Sequence, residues 1–294
     1  MSFSKVGVTG WKEKSPDLAT ALRTIAEWAA KHTDVEFFAM ETLKDLVQDP
    51  IRVVPGEKIM ECDLLIAIGG DGTVLSTARL ALGHHIPILG VNAGYVGFLA
   101  ETRVADLAQT LDCVRAGEFS TRDRSMIDAS IIHNGVEIDC ETVLNEVHVR
   151  AKAPQRMVNV NVEYNGRPLT TYWADSLLLS TPTGSTAYNL AAGGPILYPS
   201  TRVFVITPVA PSSLSVRPLV IPAVSTCTIY SATAVPLDLV FDGRVTRVLD
   251  PGDSVKLFAS ENITTFIRMN HNGFVNALRE KLGWTGKPRF ATQH

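Results

Sequence analysis

The sequence predicts two domains, an α/β N-terminal domain with a mostly parallel sheet flanked by helices and an all-β C-terminal domain. Three observations carry this. Up to about residue 121, short apolar runs alternate with segments of helical period, the pattern of strands covered on both faces. From about residue 122, strand follows strand, separated by turns rich in Gly, Pro, Asn and Asp. The chain has 294 residues, enough for about two domains. The expected divisions are 1–121, 122–265 and a helical tail, 266–294, packing back on the first domain.

Each element has a local reason. Phe3 to Val8 reads as a strand with Val6 and Val8 on one face. Ser15 can cap the helix that follows, Pro16 suits its first turn, and Leu18, Leu22, Ile25 and Ala29 share a stripe. Leu64 to Ile68 is an unbroken apolar strand. Val74 to Leu82 reads as a helix stopped by Gly83, and Ile86 to Val91 as a strand leading into NAGYVGF. In the second domain, Asn134-Gly135 joins Ile127–Ile132 to Val136–Cys140 as a hairpin. Val158, Val160, Val162 and Tyr164 alternate with polar residues up to the turn at Asn165-Gly166. Leu177–Ser180, Val203–Ile206, Leu237–Phe241 and Ser254–Phe258 are further strands, and Phe274–Leu282 is helical.

The bulk numbers narrow the function. A chain that is 46% hydrophobic and 19% charged is an ordinary globular mix. Its net charge of −3 exerts no long-range pull on nucleic acid or anionic membrane, so neither is expected as a partner. No window supplies the roughly 18 apolar residues of a membrane span. MSFSKVGVTG lacks the apolar core of a secretory leader. Cys62, Cys113, Cys140 and Cys227 are scattered without a CxxC pair, as reduced thiols are. A cytoplasmic protein is expected.

Five constellations can carry chemistry. The first is LLIAIGGDGT, Leu64 to Thr73, where a buried strand breaks into Gly69-Gly70-Asp71-Gly72-Thr73 before a helix. Bare loop amides and a helix start attract phosphate, which makes Gly69, Gly70 and Thr73 a phosphate-donor loop with Asp71 beside the reacting group. The bland alternative is a tight turn with Asp71 capping the helix. The second, Asp175 to Pro195, runs from a strand into a loop dense in hydroxyls. Gly184 allows close approach of a ligand, and Tyr188 offers a face on which a base or ring can stack. Burying such a loop is costly unless it meets a ligand or neighbouring chain, and the bland alternative is a well-capped surface loop. The third is Asn145-Glu146 in TVLNEVHVR. In a regular strand Asn145 shares the valine face while Glu146 points the other way with His148 and Arg150, so both can touch one ligand only if the strand ends or bulges there. Phe98, after a first-domain strand end, can wall a base pocket, and Asp242 sits at another strand tip where a hairpin turn is the simpler explanation. His84-His85 lacks ligand spacing, and no protein-borne metal site is read from the sequence.

At these residues the chain resembles the NAD kinases. IGGDGT, LGVNAGYVGFLAE, LNEV, STPTGSTAYNLAAGGPI and SVRPLVIP occur in that family's order, over about residues 60 to 260. The Ser180–Ile196 segment is specific to the family; GGDGT alone is similar to loops of diacylglycerol, sphingosine and phosphofructo-kinases. The resemblance implies a site between the two domains and a homodimer or homotetramer whose subunits complete each other's sites. It implies phosphorylation of the 2′-hydroxyl of the adenosine ribose of NAD by ATP or inorganic polyphosphate, with Mg²⁺ or another divalent cation. By it, Asp71 matches the catalytic aspartate and Gly72 its dinucleotide-contacting neighbour. Asn145 and Glu146 match the pair that holds the dinucleotide. Asp175, Thr186, Ala187, Tyr188 and Asn189 match the lining of the nicotinamide and adenosine sites, and Phe98 and Asp242 match further pocket positions. Two departures stand out. Many bacterial members carry a basic residue just before the aspartate matching Asp175, where this chain has Tyr172-Trp173-Ala174, and some carry Arg in place of Ala93. Arg156 is a plausible compensating cation.

The expected mechanism is direct transfer, with Asp71 taking the proton of the attacking hydroxyl. A lipid or sugar kinase using the same glycine loop leaves the Ser180–Pro195 segment unexplained. A non-catalytic NAD or NADP sensor leaves the intact Asp71 unexplained.

Overall fold

A computed structural model describes residues 3–11, 17–94, 97–152, 157–269 and 273–284. The expected cap Ser15, Pro16 and the candidate Arg156 lie outside these. The chain divides into two compact units, residues 1–123 with 264–294 and residues 124–263.

The first unit is built from β1 (Lys5–Gly10), α1 (Leu18–Ala29), β2 (Glu36–Met40), β3 (Arg52–Val54), β4 (Leu64–Gly69), α2 (Asp71–Leu80), β5 (Ile88–Asn92), β6 (Thr102–Arg103) and α3 (Leu107–Ala116). The strands pair in parallel in the order β3-β2-β1-β4-β5, with β6 added beyond β5. Parallel strands need crossovers, and helices supply them. Leu18, Leu22 and Ile25 of α1 and Leu107, Leu111 and Val114 of α3 bury against Val6, Val8, Ile66, Ile68 and Val91. On α2, Thr77 meets Thr9 of β1, hydroxyl to hydroxyl at 2.6 Å. Every residue of β4 is buried, which is why it reads as a continuous apolar run. Strand order reverses between β1 and β4, and in open α/β sheets ligands bind beyond the strand C-termini at such a reversal. Gly69 to Asp71 stand at the C-terminal end of β4.

The second unit contains two sheets. One is antiparallel, in the order β14-β13-β12-β9-β16-β17: β9 (Glu146–Ala151), β12 (Ser176–Ser180), β13 (Val203–Val209), β14 (Leu219–Pro222), β16 (Leu237–Phe241) and β17 (Val245–Leu249). The other contains β7 (Ser120–His133), β8 (Val136–Val143), β10 (Val158–Tyr164), β11 (Arg167–Ala174), β15 (Cys227–Ser231) and β18 (Ser254–Arg268). Val147, Val149, Leu177, Leu179 and Phe241 from the first sheet meet Val160, Val162, Ile229 and Leu257 from the second in a single core. The short helix α4 (Tyr188–Ala191) lies between β12 and β13 in sequence. The last residues of β18 return to the first unit, where Phe266 pairs with Ile88 of β5, and α5 (Phe274–Leu282) follows.

The fold class is that expected, with shifts at the ends. β1 runs from Lys5 to Gly10 rather than Phe3 to Val8, and β18 reaches Arg268 where only Ser254–Phe258 reads as strand. α2 starts at Asp71, three residues before Val74. Of the two possibilities at Asn145, a regular strand or one that ends or bulges there, the structure has the second, since β8 ends at Val143 and β9 starts at Glu146. Among the described residues, no helix is long and apolar enough to cross a membrane.

Candidate active site

In the first unit the site is organised around Asp71. It is the first residue of α2, and its carboxylate makes no capping bond to that helix, whose N-cap is Gly70. Instead Oδ2 accepts the backbone N–H of Phe98 at 2.9 Å and Oδ1 that of Leu99 at 3.0 Å. The capping explanation of this aspartate therefore fails; the side chain faces the loop after β5. Gly97 makes this possible, because a Cβ there would collide with the carboxylate. The Lys281 ammonium, from the last turn of α5, lies 3.5 Å from Oδ2 and 4.1 Å from the centre of the Phe98 ring. Sequence reasoning missed Lys281, Gly97 and Leu99. Only Gly97 carried a signal, as the glycine that a close approach requires.

Behind this cluster is a cavity of about 150 Å³ lined by residues that include Asn92, Phe98, Glu101, Arg268 and Phe274. Its polar wall is the buried Glu101, which pairs with Arg268 at 2.8 Å and accepts the Met269 N–H at 2.9 Å. A pocket for a drug-sized ligand measures about 300–1,000 Å³, so this cavity alone is too small for a nucleotide. A cavity of about 460 Å³ beside Val35, Phe37 and Pro50 is lined by none of the expected site residues.

In the second unit the site is built on a broken strand. Leu144 and Asn145 interrupt the run from β8 to β9, and the Asp242 carboxylate accepts their N–H groups at 2.9 and 2.7 Å and that of Glu146 at 3.1 Å. Asp242 sits at φ 48° and Gly243 at φ 71°, so the β16–β17 connection is the turn expected there as well as a clamp. The break brings Asn145 and Glu146 together, both 7% exposed. Gly184, expected to admit a ligand, is instead buried and packs on the Asn145 backbone so closely that a Cβ would overlap it.

The hydroxyl-rich segment turns out to be largely self-satisfied. Thr181 donates to the Leu144 carbonyl at 2.5 Å and accepts from the Gly184 N–H at 3.1 Å. Ser185 donates to the Pro182 carbonyl at 2.6 Å, and Thr186 to that of Thr183 at 3.1 Å. Asn189 is fully buried; its amide donates to the carbonyls of Ser185 and Pro195 and its oxygen accepts from Thr207. The expectation that such a loop needs a ligand to satisfy its hydroxyls is therefore corrected: most bond within the chain. Asn189 shapes the segment from inside. Thr186 and Ala187 are half-buried, and Tyr188 and Asp175 are exposed.

One face of the β9–β12 pair behaves differently. Glu146 pairs in register with Ser180, and His148 is two residues along the same face. Glu146 Oε2, His148 Nε2 and Ser180 Oγ are buried without a hydrogen-bond partner. Buried polar atoms are rarely left so, and these three lie on one face of the β9–β12 pair. Burial, aided by the nearby Asp242 charge, pushes the Glu146 carboxyl up to about 8. Burial, aided by Arg150, pulls the His148 imidazole down to about 4. Tyr188 meets the His148 ring edge-on, with centroids 5.2 Å apart. His148 and Ser180 were not expected as site residues, although strand alternation put His148 on the Glu146 face and Ser180 opens the Ser180–Ile196 segment. Among the described residues, no group of three or more His, Cys, Asp or Glu side chains is arranged to hold a metal ion.

Residues 18–119 match the family described as ATP-NAD kinase N-terminal domain, and residues 144–269 that described as ATP-NAD kinase C-terminal domain. The chain is 36% identical to an NAD kinase of Heliobacterium modesticaldum over 92% of this chain and 95% of that one. It is 37% identical to an NAD kinase of Syntrophotalea carbinolica over 96% and 99%. Its fold is similar to that of yeast NADH kinase complexed with NADH, with a TM-score of 0.86 and 24% identity over 98% of this chain and 90% of that one. It is also similar to an NAD kinase from Archaeoglobus fulgidus in complex with ATP, with a TM-score of 0.70 and 22% identity over 95% and 97%.

Proposed function

The chain belongs to the ATP-NAD kinase family, and from that premise we propose that it transfers the γ-phosphoryl group of ATP to the 2′-hydroxyl of the adenosine ribose of NAD, with Asp71 as general base. The 2′-oxygen attacks the γ-phosphorus. A new O–P bond forms as the bond to the β,γ-bridging oxygen breaks, and ADP leaves with that electron pair. The hydroxyl proton passes to the Asp71 carboxylate.

The observation that carries the role of Asp71 is its anchoring. A carboxylate has about four lone-pair sites. Phe98 and Lys281 engage Oδ2 and Leu99 engages Oδ1, which leaves a lone pair of Oδ1 for the proton. The backbone amides fix the side chain, and a positioned base contributes about 10²–10⁴-fold. The remainder comes from alignment of hydroxyl and phosphate and from charge stabilisation. Gly69, Gly70 and Thr73 supply the loop beside the donor phosphates, and Gly72 contacts the dinucleotide.

In the second unit, Asn145 and Glu146 hold the dinucleotide. The unpartnered atoms of Glu146, His148 and Ser180 support this, because ribose hydroxyls and a carboxamide supply the donors and acceptors they lack. Tyr188, Thr186, Ala187 and Asp175 line the same subsite, while Asn189 and Asp242 fix its backbone. Phe98 acts through its amide on Asp71 and through its ring under Lys281. Arg156 remains a candidate cation for dinucleotide phosphate.

A divalent cation is part of the proposal as a companion of the donor. The described residues offer no metal cluster, and the Asp71 carboxylate already has an ammonium beside it. Mg²⁺ in kinases binds largely through substrate phosphates. A homodimer or homotetramer in the cytoplasm completes the proposal.

The test is an NADP-formation assay on purified protein, crossing NAD and NADH with ATP and polyphosphate. NADP and ADP should appear one for one from NAD and ATP. Turnover of a diacylglycerol, sphingoid base or sugar phosphate in place of NAD would overturn the assignment, as would dinucleotide binding without ATP consumption.

A further inference from the structure

We infer that Lys281, on the C-terminal helix α5, is a further residue of the phosphoryl-transfer machinery, its ammonium gripping the transferring phosphate of the donor. This rests on the assignment of Asp71 as the base. The ammonium stands 3.5 Å from Asp71 Oδ2 and 4.1 Å above the Phe98 ring. The side chain is 22% exposed, so its charge is partly withdrawn from water and needs compensation.

Three features make it a phosphate ligand rather than a permanent partner of the aspartate. The first is distance: 3.5 Å is long for an ion-paired hydrogen bond, which normally closes to about 2.7–2.9 Å. The pair is loose and easily exchanged. The second is capacity. An ammonium has three N–H donors, and one long carboxylate contact plus a ring face uses at most two of them, which leaves at least one for phosphate. The third is charge balance. A γ-phosphate brought next to the Asp71 carboxylate puts two anions side by side, and a cation between them removes the repulsion. When the phosphate arrives, the ammonium exchanges carboxylate for phosphate oxygens. The exchange frees a lone pair on Oδ2 and neutralises charge on the group being transferred; Lys281 itself transfers no proton.

The helix is held in place by contacts that do not involve this charge. Arg103 pairs with Glu280 at 3.7 Å, and Phe274 lies 6.3 Å from the Phe98 ring centre. The ammonium can therefore be removed without undocking the helix.

The experiment compares wild type, Lys281→Met and Lys281→Arg, varying ATP and NAD separately and recording melting temperature. Lys281→Met keeps the unbranched stem and should lose about 10²-fold in kcat, with a higher KM for ATP and an unchanged KM for NAD. Lys281→Arg should recover part of the loss, and neither variant should melt appreciably lower. A Lys281→Met enzyme with normal kcat and KM for ATP overturns the inference. So does a loss that raises both KM values together with a lower melting temperature, since the lysine would then only dock α5. Absence of wild-type turnover would reject the parent reaction and this inference together, whereas a silent Lys281→Met in an active enzyme rejects this inference alone.

Discussion

The carboxylate of Asp242 accepts the backbone N–H of Asn145 at 2.7 Å, joining the tip of the β16–β17 turn to the break between β8 and β9 across 97 residues of chain. The same carboxylate takes the N–H groups of Leu144 and Glu146. Strand pairing would otherwise satisfy these amides, and the clamp substitutes for it.

Asp242→Asn isolates the clamp, because Asn tolerates the left-handed backbone at φ 48° almost as well as Asp. One carboxylate oxygen becomes an NH₂ that cannot accept. Hydrogen bonds to a charged group contribute about 1.5–3 kcal/mol each, so the variant should lose about 2–4 kcal/mol of stability in urea unfolding. Dinucleotide affinity should fall as well, because Asn145 and Glu146 lose their placement. An unfolding midpoint equal to wild type would show that the clamp contributes nothing.

Glu146 should give a pH signature. Its carboxyl rises from about 4.5 to about 8 on folding, so between those values the folded state holds a proton that the unfolded state has released. Stability therefore falls as pH rises through this window. His148 acts in the opposite sense. Its value drops from 6.5 to about 4, and its contribution is lost as pH falls from about 6.5 toward 4. The clean window for Glu146 is pH 6.5 to 8. There Glu146→Gln should flatten the profile and stabilise the protein at pH 8 by an amount on the order of a few kcal/mol. If ligand hydroxyls donate to Glu146, dinucleotide binding at pH 7 should also release a proton in wild type and not in the variant. Titration calorimetry in buffers of different ionisation enthalpy reads this directly.

How much of this could be read beforehand depended on whether the cause was local. β4 was legible because it is a short buried apolar run, and β16 because apolar Leu237, Leu239, Val240 and Phe241 stand between turn residues with a single polar Asp238. The hairpin at Asn134-Gly135 was legible because both residues adopt positive φ, which that dipeptide tolerates. The start of α2 was not, since Asp71-Gly72-Thr73 are poor helix formers; the helix begins there while the Asp71 carboxylate is anchored to the amides of Phe98 and Leu99, 27 and 28 residues away. The break at Asn145 is held by Asp242, 97 residues away, so TVLNEVHVR raises it only as the condition for Asn145 and Glu146 to share one ligand. Motifs pointed to Asp71 and Glu146. Lys281 joins the Asp71 cluster only through tertiary packing, so no local pattern could place it, whereas strand alternation already put His148 on the Glu146 face.

Gly97→Ala tests how tightly Asp71 is set. A methyl group at 97 overlaps the carboxylate, so either the aspartate or the loop must move. Misplacement by about 1 Å can cost about 10²-fold in rate. The variant should lose at least tenfold in kcat, and combining it with Asp71→Asn should add little, because both act on one group. Full additivity of the two losses would mean that Gly97 acts elsewhere.

Asp71→Asn is the direct test of the base, and the geometry changes how it must be read. The substitution removes the proton acceptor and should lower kcat by about 10²–10⁴-fold with NAD affinity largely kept. It is not sterically and electrostatically silent, however. Each carboxylate oxygen accepts one backbone N–H, and an amide offers an oxygen to only one of them. Its NH₂ group then faces either Phe98 or Leu99, donor against donor. An unsatisfied donor costs about 1–3 kcal/mol, so a fall in stability should accompany the loss of rate. Asp71→Ala leaves both amides without that acceptor and should be less stable still. The two effects separate by kinetics on fully folded protein, with the folded fraction fixed by circular dichroism at the assay temperature. If kcat per folded molecule of Asp71→Asn stays within a few-fold of wild type, this carboxylate is a structural anchor and the proton leaves by another route.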